Sequence, residues 1–158
     1  MRIFAINTED RRSVRKFIDF PKKLYAENPQ WVPMLDIDAR RMMDRKKHPF
    51  YATSDAAFFA ALNDDGEMIG RIAMIENKPY NARSGKNRAF FYLFDVVEDL
   101  SVAEALFAQG ISWAKERGLN EIYGPKGFAA LNGMGMLTRG FAHRPAFGIP
   151  YNFAYYPD

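Results

Sequence analysis

The sequence predicts an α/β (α+β) protein in which helices flank a mixed, mostly antiparallel central sheet. Three observations predict this class. Short apolar runs separated by turn residues follow one another through the middle of the chain, as in antiparallel hairpins. Segments with apolar residues at helical spacing lie before and after those runs. The length of 158 residues fits one compact domain with a substantial core.

The N-terminal part predicts one strand and two helices. Residues 2–6 predict a short strand, and residues 8–10 then offer capping groups for a helix. Pro21 is expected to break or restart this helix, because proline lacks the backbone N–H that a helix interior needs. Residues 28–33 contain two prolines and predict a loop. A second helix is expected over residues 36–45.

The middle of the chain predicts a hairpin and then an interior strand. Residues 56–62 and 68–75 are apolar runs on either side of the turn 63–66. Residues 77–86 are polar, contain a proline and a glycine, and predict a loop. Residues 89–97 are aromatic or β-branched almost throughout, so both faces of this strand are apolar. Such a strand is expected in the centre of a sheet.

The clearest helix covers residues 101–117. Ser101 begins a capping-box pattern, Trp113 lies on the apolar face, and Gly118 suits the left-handed residue that follows a helix. Residues 121–124 then predict a short strand. A strand, a helix and a parallel strand form a right-handed crossover in nearly all known cases. Residues 125–158 predict an irregular segment, rich in glycine and aromatic residues.

Composition excludes several kinds of site. The chain has no cysteine, which excludes disulfides, a thiolate nucleophile and cysteine-based metal sites. Its two histidines, His48 and His143, both lie in loop-like sequence near prolines, so no metal site is expected. No stretch approaches the roughly 18 to 20 apolar residues of a membrane span, and no signal-peptide pattern is present. The expected location is the cytoplasm, with no membrane partner.

Positive charge concentrates near the N-terminus. The net charge is +3, and residues 11–47 hold eleven Lys and Arg against five Asp and Glu. This pattern indicates either a solvated helix face or a patch for an anionic ligand or nucleic acid. Stacking aromatics do not alternate with these charges in a known nucleic-acid motif, so nucleic acid is not an expected partner.

Several short motifs carry a resemblance to a known family. They are Asn28-Pro29-Gln30-Trp31-Val32-Pro33, His48-Pro49-Phe50, Gly70-Arg71-Ile72-Ala73, Gly124-Pro125, Gly140-Phe141, Pro150-Tyr151-Asn152 and Tyr155-Tyr156. With these motifs, over nearly its whole length, the chain resembles a bacterial family of GNAT-like N-acyltransferases. The predicted element order is also that of the GNAT fold.

The resemblance implies a cofactor and a substrate class. GNAT proteins transfer an acyl group from acetyl-CoA or another acyl-CoA to an amine, here a small-molecule amine. Their Gln/Arg-x-x-Gly-x-Gly/Ala loop binds the CoA pyrophosphate, and it corresponds to residues 98–103, where Ala103 alone matches. Ser101 replaces the middle glycine, while Glu98 and Asp99 bring negative charge. Each like-charge pair costs on the order of 2 to 3 kcal/mol at about 6 Å, so weak pyrophosphate binding is expected.

The same resemblance implies the site residues. The cofactor-binding positions are Leu93, Phe94, Val96, Ser101, Val102 and Ala103. Asp95 and Glu98, at the end of the interior strand, are the candidate catalytic bases. The alternative is that Asp95 is ion-paired and Glu98 favours the helix dipole. Arg71, a charge in an apolar strand, needs solvent or a partner, and a structural salt bridge is one interpretation.

Two functions stay open at this point. The chain is either an N-acyltransferase or a non-catalytic GNAT-fold module whose glycine-and-aromatic segment binds a partner. GNAT domains continue past the fifth strand with another helix and two strands, so the resemblance implies that this single domain, 1–158, lacks the C-terminal part of the fold. The edge near Ile122 would then need a cover. Either residues 128–156 fold back over it or a second copy pairs with it, giving a homodimer.

Overall fold

The computed structural model describes residues 1–129 and 133–157. The part of the predicted irregular segment that falls on residues 130–132 and 158 lies outside the described residues. In chain order the elements are β1 (Arg2–Ala5), α1 (Arg11–Leu24), α2 (Asp36–Met43), a short 3-10 helix (Pro49–Ala52), β2 (Asp55–Leu62), β3 (Met68–Glu76), α3 (Lys78–Ser84), β4 (Arg88–Val96), α4 (Leu100–Lys115) and β5 (Glu121–Tyr123).

The strands form one five-stranded sheet in the order β1-β2-β3-β4-β5. The first four strands pair antiparallel, and β4 pairs with β5 in parallel. The predicted fold class is therefore confirmed. The strand predicted for the interior, β4, lies between β3 and β5. Among the described residues, no helix is sufficiently long and apolar to cross a membrane.

Apolar side chains pack on both faces of the sheet. Phe17 of α1 and Phe58 of β2 belong to one core, together with side chains of α2. Phe59, the next residue along β2, belongs to the core on the opposite face, as expected from the two-residue period of a strand. On that face α4 contributes Leu106 and Trp113. Trp113 is 6% exposed, which confirms the predicted buried face of this helix.

The expectation that Pro21 ends the first helix is wrong. Pro21 lies inside α1, which continues to Leu24. Without its N–H, Pro21 leaves the carbonyl of Phe17, one turn earlier, without the usual helical donor. The guanidinium of Arg71 supplies it: Arg71 Nη1 donates to the Phe17 carbonyl at 2.7 Å. A charged side chain from β3 thus replaces the backbone donor.

The loop predicted over residues 77–86 contains the helix α3. The Asn77 side chain accepts a hydrogen bond from the Tyr80 N–H at 3.0 Å and caps the helix. Pro79 occupies the first turn, where its missing N–H has no intrahelical partner to lose. Gly85 ends the helix with a left-handed φ of 64°. Proline and glycine, which suggested a loop, here mark the two ends of a short helix.

The capping residue of α4 lies two positions before the predicted one. Asp99, not Ser101, is the capping residue, and its carboxylate accepts hydrogen bonds from the Ser101 N–H at 2.9 Å and the Ser101 hydroxyl at 2.7 Å. These hydrogen bonds lower the pKa of Asp99. At the other end Gly118 has a φ of 71°, as predicted.

Candidate active site

Strand β4 bulges halfway along its length. Leu93 has a positive φ of 47°, and the pairing with β3 shifts register between Arg71 and Ala73. These are the marks of a β-bulge. Beyond the bulge the N–H of Val97 donates to the Ile69 carbonyl of β3 at 3.0 Å. Because backbone groups alternate in direction along a strand, the N–H and carbonyl of Val96 face away from β3.

The neighbouring strand leaves β4 before this point. The last β4–β5 pair is Phe90 with Tyr123. At Gly124 the two backbones are so close that an added Cβ would lie 2.6 Å from the Phe91 carbonyl oxygen. The N–H of Lys126 then donates to that carbonyl at 2.9 Å, and no further β4–β5 pair is formed. The C-terminal half of β4 thus has an edge that β5 does not cover.

A cavity of about 250 Å³ lies beside this uncovered edge. It is bounded by α1, the loop before α2, α2 itself, β4 and the C-terminal segment, residues 133–157. Its lining residues include Ile18, Pro21, Trp31, Val32, Met34, Ala39, Met43, Arg71, Tyr92, Leu93, Phe94, Asp95, Phe147, Ile149, Tyr151 and Tyr156. Most of these side chains are apolar or aromatic, and Arg71 and Asp95 bring charge into the wall. A concave apolar site with few polar groups is typical of small-molecule binding.

Asp95 is held in a buried ion pair. Arg71 Nε and Nη2 both lie 2.7 Å from Asp95 Oδ2, and the two side chains are only 8% and 12% exposed. The Tyr25 hydroxyl donates to Asp95 Oδ1 at 3.2 Å. Both carboxylate oxygens therefore have donors. This is the salt bridge that the sequence offered as one interpretation of Arg71.

Tyrosine hydroxyls continue this network to the edge of β4. The Val96 N–H donates to the Tyr156 hydroxyl at 2.7 Å, and the Tyr155 hydroxyl donates to the Val96 carbonyl at 2.7 Å. The Tyr25 hydroxyl lies 3.4 Å from that of Tyr156. Burial raises the pKa of Tyr25 and Tyr156 well above their usual range, and that of Tyr155 to about 12. All three phenols stay protonated at neutral pH.

An aromatic ring of the C-terminal segment stacks on Tyr25, which follows α1, and an asparagine side chain joins two parts of the segment. The Tyr25 ring stacks on Trp31 at 5.2 Å and on Phe153 at 4.5 Å between centroids. The Asn152 side chain accepts from the Leu137 N–H at 2.7 Å and donates to its carbonyl at 3.1 Å. The segment folds back against Tyr25 and β4, and the expected cover over the edge of β5 stays a prediction. The homodimer stays a prediction.

Solved structures share this arrangement of strands and helices. An acetyltransferase of the GNAT family from Staphylococcus aureus Mu50 superposes with a TM-score of 0.55 and 18% identity, over 77% of this chain and 70% of that one. An aminoglycoside acetyltransferase from an uncultured soil metagenomic sample, in complex with sisomicin, gives a TM-score of 0.55 and 14% identity, over 77% and 74% of the chains. The chain has the GNAT fold.

Sequence comparison adds two relatives. Protein YghO of Escherichia coli K12 is 28% identical over 147 residues, which is 93% of this chain and 37% of that protein. The bacterial ceramide synthase of Caulobacter vibrioides is 26% identical over 133 residues, 84% of this chain and 34% of that protein. This GNAT-fold chain thus spans roughly a third of the length of these relatives. No family model matches it.

Within the GNAT fold the predicted site residues fall into two groups. Leu93, Phe94 and Asp95 line the cavity, and Val96 lies next to them with its backbone bound to the two tyrosines. The other four lie away from the cavity lining. They are Glu98 and Ser101, which are exposed, Ala103, which is half-buried, and Val102, which is buried in the core under α4. Their predicted roles stay predictions.

Sequence reasoning did not single out Tyr25 or Trp31 as site residues. Tyr25 continues the apolar stripe of α1, and nothing in that pattern shows that its hydroxyl contacts Asp95. Arg71 did give a signal, since a charge in an apolar strand needs a partner. A second signal was available in Pro21, which leaves a helical carbonyl free to accept from such a side chain.

Proposed function

We propose that this chain forms an acyl-CoA-dependent N-acyltransferase domain. The amine binds in the cavity, and the acyl thioester lies along the C-terminal half of β4. The observation that supports this most is the cavity itself, which opens where β4 and β5 part and has the buried Asp95 carboxylate in its wall. A fold is shared by many functions, so the proposal rests on this site and not on the GNAT fold alone.

The proposed reaction needs two proton transfers. The amine nitrogen attacks the thioester carbonyl carbon, a C–N bond forms, the C–S bond breaks, the nitrogen loses a proton and the thiolate gains one. Asp95 is the candidate base in the cavity, and Arg71 orients it. Glu98 is the second candidate base, although it is exposed outside the cavity lining. Tyr156, which lines the cavity and stays protonated, is the candidate donor to the thiolate.

The residues fit the pantetheine arm of acyl-CoA better than its pyrophosphate. The Val96 N–H and carbonyl face the uncovered edge, where the amide groups of the arm can bind once the tyrosine hydroxyls move. At the start of α4, in contrast, the Asp99 carboxylate already accepts the Ser101 N–H. Glu98 adds a second exposed carboxylate there. We therefore expect weak acyl-CoA binding, improved by Glu98→Arg combined with Ser101→Gly.

The lining favours an acceptor with an apolar body. Ile18, Met34 and Met43 contribute aliphatic walls, and Trp31 and Phe94 contribute rings. One relative is named a bacterial ceramide synthase, and ceramide contains the kind of amide bond that an N-acyltransferase forms. We therefore propose an amine with an aliphatic chain, in preference to a strongly polar amine, as the substrate class.

A thiol-release assay tests this function. The chain is incubated with acetyl-CoA or longer acyl-CoAs and with amines that differ in chain length, and free CoA is measured. We expect release that depends on the amine and falls about 100-fold in Asp95→Asn. Glu98→Gln tests the second candidate base, and a comparable fall there with Asp95→Asn unaffected would assign the role to Glu98. Equal rates in Asp95→Asn and the wild type, with intact circular dichroism, would rule out Asp95 as the base.

One observation favours the alternative, a non-catalytic GNAT-fold module. Tyr155 and Tyr156 occupy the backbone groups of Val96, and Asp99 occupies the start of α4. In that case no acyl-CoA raises the melting temperature at any concentration tested, whereas a ligand of the native state must raise it. A thermal-shift titration therefore separates the two functions.

A further inference from the structure

We propose that the mouth of the cavity docks on an anionic lipid membrane, with the chain lying on the surface and not crossing it. The proposal does not depend on acyl transfer. The expectation of no membrane partner rested on the lack of a spanning segment, and a surface-bound protein needs none.

Large apolar side chains are exposed at the mouth of the cavity and at the start of α2 beside it. Their exposed fractions are 51% for Leu35, 71% for Ile37, 63% for Phe147 and 57% for Ile149. Phe147 and Ile149 line the cavity, and Leu35 and Ile37 lie in the stretch between two lining residues, Met34 and Asp38. Large apolar side chains exposed near one cavity are typical of an interaction site.

Unpaired arginines accompany these apolar side chains. Arg40 and Arg41 follow Ile37 by three and four residues in α2, so they share its exposed helical face. Arg144 is exposed three residues before Phe147. None of these arginines forms an ion pair with a residue that the structure describes.

Little negative charge opposes them. Residues 122–157 contain no Asp or Glu. In α2 the Asp36 carboxylate is paired with Lys22 Nζ at 2.6 Å, which leaves Asp38 as the exposed carboxylate beside the mouth. We call these exposed residues the rim: Leu35, Ile37, Arg40, Arg41, Arg144, Phe147 and Ile149. The rim combines apolar side chains with an excess of arginine.

This combination fits an anionic lipid surface. Apolar side chains enter the boundary between headgroups and acyl chains, while arginines bind lipid phosphates. A second copy of the chain fits less well, because a two-fold interface through this face would place arginines near arginines. The anionic membrane is therefore the occupant that the charges favour.

Vesicle co-sedimentation of the chain tests the proposal. We expect binding to phosphatidylcholine vesicles that contain phosphatidylglycerol, little binding to phosphatidylcholine alone, and weaker binding at high salt. Ile37→Ser combined with Phe147→Ser should lower the partition coefficient at least about tenfold. Arg40→Gln combined with Arg41→Gln should weaken binding to the vesicles that contain phosphatidylglycerol. It should not change binding to vesicles of phosphatidylcholine alone.

Ile111→Ser is the matched control. Ile111 is 40% exposed on α4, on the opposite face of the sheet, and its substitution should leave the partition coefficient unchanged. Thermal melting of each variant checks that it folds. The proposal is overturned if the folded wild type does not bind anionic vesicles, or if the rim variants bind as tightly as Ile111→Ser. Lipid-independent self-association that Ile37→Ser abolishes would assign the rim to a second copy instead.

Discussion

The two halves of strand β4 have the same neighbour on one side and different neighbours on the other. Ala89 and Phe90 pair with β3 on one side and with β5 on the other, and Arg88 pairs with β5. In the other half Tyr92, Asp95 and Val96 pair with β3, but the opposite edge of the strand faces tyrosine hydroxyls and a cavity. The difference arises from the bulge at Leu93 and the departure of β5 at Gly124. One strand can therefore serve the sheet along one half and a candidate site along the other.

Each half also carries one arginine–carboxylate pair. Arg88 Nη2 lies 2.6 Å from Glu121 Oε2, and Glu121 is substantially exposed. Arg71 Nη2 lies 2.7 Å from Asp95 Oδ2, and both side chains are buried. Water can solvate the first carboxylate if its partner is lost, but it cannot readily reach the second. The two pairs should therefore differ sharply in their effect on stability.

The largest expected effect is that of Arg71→Ala. The substitution leaves a buried carboxylate unpaired and removes the donor to the Phe17 carbonyl, so it should lower the free energy of unfolding by about 3 to 5 kcal/mol. Arg88→Ala, the matched change in the other half, should cost much less because its partner is exposed. Urea unfolding of both variants measures the difference. Equal losses would show that burial does not distinguish the two pairs.

Alkaline pH should act on the tyrosine-rich half of β4. Burial raises the pKa of Tyr92 to about 12, against 10.0 for a free phenol. The unfolded chain loses this proton above pH 10 while the folded chain keeps it, so the stabilisation present below pH 10 falls as pH rises towards 12. The loss is up to about 1.4 kcal/mol per pH unit for each such phenol.

Urea midpoints measured between pH 9 and pH 11.5 test this expectation. Tyr92→Phe should give a shallower decline than the wild type, since one buried phenol no longer titrates. Identical slopes in the two proteins would mean that Tyr92 does not link folding to proton binding.

The smallest expected effect concerns the uncovered edge. Tyr155→Phe removes the hydroxyl that donates to the Val96 carbonyl, so a pantetheine amide no longer competes with it. We expect acyl-CoA affinity to rise a few-fold, since a neutral hydrogen bond contributes about 1 kcal/mol. Calorimetric titration measures it. Tyr151→Phe removes a hydroxyl that donates to the Phe141 carbonyl instead, and it is the control. An unchanged affinity in Tyr155→Phe would show that this hydroxyl does not compete with the cofactor.

Local sequence patterns determined most of the fold. Short apolar runs bounded by turn residues predicted β2, β3 and β4, and the apolar stripe through Trp113 predicted the buried face of α4. The same reasoning failed at Pro21 and at residues 77–86. In both cases a hydrogen bond from or to a side chain allowed a helix. Arg71 donates to the carbonyl that Pro21 leaves free, and the Asn77 side chain caps α3.

The candidate site was determined in part. From the sequence came Leu93, Phe94 and Asp95 as neighbours at the end of an interior strand, and the resemblance to GNAT proteins directed attention to them. Tertiary structure alone decided that Tyr25 and Tyr156 meet there, since they lie 131 positions apart in the chain. No local periodicity records a contact between such distant residues. The sequence thus indicated which strand carries the candidate site, and the folded chain determined which side chains surround it.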